Sequence, residues 1–91
     1  PPKSFSYVVT FNPPLRPFRE SGEIRSGIKR FLEDMLRIAR ERVIIRSWTI
    51  IPLLPAEYNS LIDKKGEKFA IYRADRYLSS SEKGLHDAAL S

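Results

Sequence analysis

Residues 5–11, Phe-Ser-Tyr-Val-Val-Thr-Phe, alternate Phe5, Tyr7, Val9 and Phe11 with Ser6, Val8 and Thr10. A period of two in β-branched and aromatic residues predicts a strand, because successive side chains of an extended backbone point to opposite faces. Pro13 and Pro14 end it. The stretch "PPLRPFRESG" that follows is held extended by its prolines, which exclude helix and inner strand, so an arm or flap is expected there. From 21 to 41 the period becomes 3.6, with Ile24, Ile28, Phe31, Leu32, Met35, Ile38 and Ala39 on one stripe. The other face pairs Arg30 with Asp34, Glu33 with Arg37 and Arg37 with Glu41, which assigns those charges to helix solvation rather than to a ligand. Arg42 returns to the apolar stripe, so the helix is expected to end there.

The next stretch, "VIIRSWTII" over 43–51, alternates again. Ile44, Arg46, Trp48 and Ile50 fall on one face, and Val43, Ile45, Ser47, Thr49 and Ile51 on the other. One face of this strand therefore carries a cation beside an indole. "AEYNSLIDKKGEKFAIYRAD" predicts a hairpin, with strands over 58–62 and 68–74 about a turn of Asp63, Lys64, Lys65 and Gly66. Pro55 followed by Ala-Glu offers a short helix as the alternative at its start. Ser79 with Glu82 makes a capping box for a C-terminal helix bearing Leu85, Ala88, Ala89 and Leu90, too short to be stable alone. These elements predict an α+β fold: a small antiparallel sheet of three or four strands, one long helix packed on one face, and a short C-terminal helix. A single domain spans 1–91, with 1–4 and 79–91 expected to be flexible or part of a longer helix.

Composition narrows the function. A chain of 91 residues, 42% apolar and 30% charged, holds one core and no second domain. Sixteen Lys and Arg against eleven Asp and Glu give +5, which favours a polyanionic partner through release of its counterions. The absence of cysteine removes disulfides, thiolate metal sites and thiol nucleophiles. With no glutamine and only Asn12 and Asn59, the composition leans thermophilic. No apolar run reaches membrane-span length and no signal-peptide pattern opens the chain, so a soluble, cytoplasmic protein is expected. The one histidine, His86, has Asp87 beside it in sequence but off its helical face, and "KKG" lacks the first glycine of a phosphate loop. A nuclease would need Glu57, Asp63, Glu67 and Asp75 to converge on a metal. The expectation is a binding protein with no catalytic residues, metal or cofactor.

The residues best suited to binding are aromatics interleaved with cations, since rings stack bases and cations follow phosphates. They are Arg16, Phe18 and Arg19 in the arm, Arg46 and Trp48 in the second strand, Tyr58, Tyr72 and Arg73 in the hairpin, and Arg76 and Tyr77 after it. Phe31 and Phe69 are assigned to the core, while Phe5, Tyr7 and Phe11 fit either core or ligand. "KKGEKFAIYRA" resembles part of the RNA-recognition motif's central signature at Lys65, Gly66, Phe69 and Tyr72, but Glu67 and Lys68 break the pattern. The "RSWTI" and "IYRADRY" segments, the "PPLRPFR" arm and the capped terminal helix together resemble the archaeal ThermoDBP single-stranded DNA-binding proteins. That resemblance implies an aromatic-lined basic cleft, binding of single-stranded DNA with little sequence specificity, and a homodimer through the C-terminal helix. The alternative is an interaction or assembly module, of viral type, that forms a homodimer and has no nucleic-acid role.

Overall fold

The computed structural model describes residues 3–12 and 22–77. The expected arm, with Arg16, Phe18 and Arg19, and the expected C-terminal helix lie outside them. Four strands and one helix follow in the order β1 (Phe5–Phe11), α1 (Ile24–Ile38), β2 (Ala39–Arg46), β3 (Ile62–Lys65) and β4 (Phe69–Arg73). Short 3-10 turns occupy Ile51–Leu53, Ala56–Leu61 and Ala74–Arg76. The strands form one sheet in the order β1-β2-β4-β3, an α+β arrangement.

The sheet is mixed rather than antiparallel. β1 and β2 pair in parallel, with Tyr7 opposite Arg42, Val9 opposite Ile44 and Phe11 opposite Arg46. The cause is α1: a helix between two adjacent strands carries the chain back to the end from which it started, so the second strand runs in the same direction as the first. β4 is antiparallel to both β2 and β3.

α1 ends four residues before the limit set by Arg42. Ala39 is extended, at φ −88° and ψ 135°, so helix passes directly into strand. The ammonium of Lys3 donates to the carbonyls of Leu36 at 2.9 Å and Ala39 at 3.3 Å, at the end of α1, and to that of Ala74 at 3.1 Å, which ties the helix end to the turn after β4.

β2 likewise ends at Arg46, short of the expected 51. Ile50 and Ile51 are consecutive and both buried, which a strand with one open face does not permit. The carbonyl of Ser47 accepts from the amides of Ile50 and Ile51, at 3.2 and 3.1 Å, and turns the chain under the core. After Pro55 the short-helix alternative is what forms. The expected turn residues Asp63, Lys64 and Lys65 become β3, and the hairpin closes instead through Gly66, whose amide donates to the Phe69 carbonyl at 2.9 Å. The Phe69 ring lies over Gly66, where a Cβ would stand 2.5 Å from it.

One core cluster joins Ile28, Leu32, Met35 and Leu36 of α1 to Ala39, Val43 and Ile45 of β2 and Ala70 and Tyr72 of β4, with Ile50, Ile51 and Ala74. The Thr10 hydroxyl reaches the Met35 sulfur at 3.2 Å, which places the Ser6, Val8 and Thr10 side of β1 toward the helix. Phe31 packs at the margin of the core as expected. Phe69 does not. It alternates outward with Ile71 and Arg73, on the face away from α1.

Candidate functional site

β1 turns its greasier side outward. Phe5, Tyr7, Val9 and Phe11 are 58, 56, 49 and 62% exposed, while the smaller Ser6, Val8 and Thr10 are half-buried. Strand register carries this open face across Ile44 and Arg46 of β2 to Phe69 and Ile71 of β4.

The face divides into two electrostatically different ends. Midway along β2, Arg42 lies 3.4 Å from Asp63 and 3.3 Å from Asp75, and at the end of β4 Arg73 lies 2.9 Å from Asp75. Two cations and two carboxylates cancel there, and the Arg73 hydrogen bond holds the Asp75 carboxyl below the usual range. At the other end, Arg46 and Lys68 have no carboxylate partner among the described residues.

That second end is concave. Phe11, Asn12, Arg46, Ser47, Trp48 and Lys68 line a hollow of about 270 Å³. Ser47 is buried, its amide donating to the Lys68 carbonyl at 3.0 Å and its hydroxyl 2.9 Å from that of Thr49. With Ser47 pinned inward, its neighbours point out: Arg46 is exposed and Trp48 is 68% exposed. The Arg46 guanidinium carbon sits 5.7 Å from the Phe11 ring centre, a cation–π arrangement that steadies both groups. Asn12 adopts a left-handed φ of 40°, bending the chain where β1 leaves the sheet.

No family model, curated protein or solved structure matches this chain. The geometry of this hollow therefore carries the functional argument. Among the described residues no helix is long and apolar enough to cross a membrane.

Of the residues expected to bind, the structure brings Arg46 and Trp48 together. Arg73 shares their face but lies at the neutralised end, on Asp75. Arg76 is exposed in the turn beyond it.

Tyr72 must be reassigned. The β4 pleat sends Ala70 and Tyr72 inward, and Tyr72 is fully buried, its hydroxyl pKa pushed up by burial to about 12. Tyr58 is also drawn away from the open face, being packed against the core with its hydroxyl donating to Glu33. Its ring meets Tyr77 edge-on at 6.0 Å, and Lys3 stands 5.6 Å from the centre of the Tyr77 ring. These two tyrosines close the core rather than a ligand site.

Asn12 and Lys68 are not among the residues the sequence points to, and Phe11 is one it leaves open between core and ligand. Period two shows that Phe11 and Tyr7 share a face but not which face meets the helix, and the usual rule that the more apolar face is buried points the wrong way here. Lys68 enters through the hairpin turn, whose position shifts once Asp63, Lys64 and Lys65 pair as strand.

Proposed function

We propose that this chain binds single-stranded nucleic acid, DNA in the first instance, with little sequence preference. The observation that carries the reading is the hollow at the end of β2, where two exposed rings, Phe11 and Trp48, adjoin two cations, Arg46 and Lys68, without carboxylate partners among the described residues. Rings present flat π-faces to bases at about 1–3 kcal/mol per stacked base, and any base has such a face, so affinity comes without sequence readout. Arg46 and Lys68 take the phosphates between stacked bases. A duplex is the poorer ligand because its base faces are already stacked and only their edges reach the grooves. In this reading the chain is a cytoplasmic binding protein and not an enzyme.

The test is fluorescence anisotropy of a labelled oligothymidine with wild type, Arg46→Ala and Lys68→Ala across a salt series. Each phosphate contact removed should reduce the slope of log affinity against log salt by about 0.7. Undetectable binding at low salt, or slopes identical in all three proteins, would refute the proposal.

A further inference from the structure

The two edges of the sheet are unlike. β3, at one edge, is four residues long and carries Asp63, Lys64 and Lys65, the short and charged kind of edge that resists pairing with another chain. β1, at the other, is seven residues long with no charge and no proline, and among the described residues no strand pairs with its outer side. The Asn12 amide donates inward to the Arg46 carbonyl at 3.1 Å. On the alternating pleat, the amides of Thr10 and Val8 therefore also face β2, and those of Tyr7, Val9 and Phe11 face out from the sheet.

Turned end for end about Val8, the strand meets itself with like chemistry. Phe5 falls opposite Phe11, Ser6 opposite Thr10, Tyr7 opposite Val9, and Val8 opposite Val8. Aromatic with aromatic, hydroxyl with hydroxyl and aromatic with β-branched are the cross-strand pairs that stabilise antiparallel strands. A two-fold interface needs a surface complementary to itself in this way.

We propose that two copies of this chain pair edge to edge through β1, antiparallel, about a two-fold axis at Val8. In that register the outward amides of Tyr7 and Val9 meet their counterparts, each Tyr7 exchanging both backbone hydrogen bonds with the partner's Val9. Phe5, Tyr7, Val9 and Phe11 of both copies stay on one face, so the two open faces become one side of a sheet of twice four strands. The uncharged strand is where a chain of net charge +5 meets least repulsion from its copy.

Sedimentation equilibrium of the full chain without nucleic acid tests this. Wild type should run at twice the 10.5 kDa chain mass. The double variant Tyr7→Lys with Val9→Lys sets like charges opposite each other across the axis and should be a monomer. Tyr7→Glu with Val9→Lys sets opposite charges there and should restore the dimer. Both positions are exposed, and a thermal melt checks folding. Val9→Pro, which removes an outward amide and leaves the ladder to β2 intact, is the second route to a monomer. A wild-type monomer, or a dimer indifferent to the paired lysines and to Val9→Pro, as one built on the C-terminal segment would be, overturns the proposal. The measurement contains no nucleic acid, so its failure and that of the binding proposal are separate results.

Discussion

Ser47 holds the candidate site in place by turning its own side chain inward, so that Arg46 before it and Trp48 after it face solvent. An indole left 68% exposed contributes little to the fold. Trp48→Ala should therefore leave the melting temperature nearly unchanged while weakening oligothymidine binding by about 1–3 kcal/mol in a parallel titration and melt. Equal losses in both would make the ring a packing residue.

Tyr72 is the contrary case. Its hydroxyl is buried without a hydrogen-bond partner among the described residues, which costs about 1–3 kcal/mol of desolvation. Tyr72→Phe should accordingly raise the melting temperature; a fall would show that the hydroxyl is hydrogen-bonded in solution. Neither role was readable from composition, since both residues sit near arginines in sequence. Only the pleat separates them.

At the level of elements, periodicity located β1, α1 and β4 but not the places where one element hands over to the next. Ala39 and Ser47 are such places. In each case a tertiary hydrogen bond decides: Lys3 at the carbonyl end of α1, and the Lys68 carbonyl at the end of β2. Partners 36 or 21 residues away along the chain leave no mark on a local pattern. The same limit explains β1, where alternation separated the two faces but could not show that Met35 of α1 would meet the hydroxyl side. Lys3→Met keeps the aliphatic stem and removes three charge-assisted hydrogen bonds, so a loss of about 1.5–3 kcal/mol is expected. Urea unfolding followed by circular dichroism measures it directly, and an unchanged midpoint would remove Lys3 from the account of how α1 ends.

Among the described residues the molecule is a one-sided sheet, with α1 packed on one face and the other chemically divided. Its positive charge matters locally. The Arg42, Arg73, Asp63 and Asp75 cluster neutralises one end of the open face, while among the described residues Arg46 and Lys68 have no carboxylate partner at the end that also carries Phe11 and Trp48. A bound strand should therefore contact the protein first at Trp48. Trp48 is the only tryptophan in the chain, so its emission reports on that point alone. The most direct measurement is its fluorescence during titration with a short oligothymidine at low and at raised salt. The account predicts saturable quenching at low salt that weakens as salt rises. Emission that stays constant throughout the low-salt titration would contradict it.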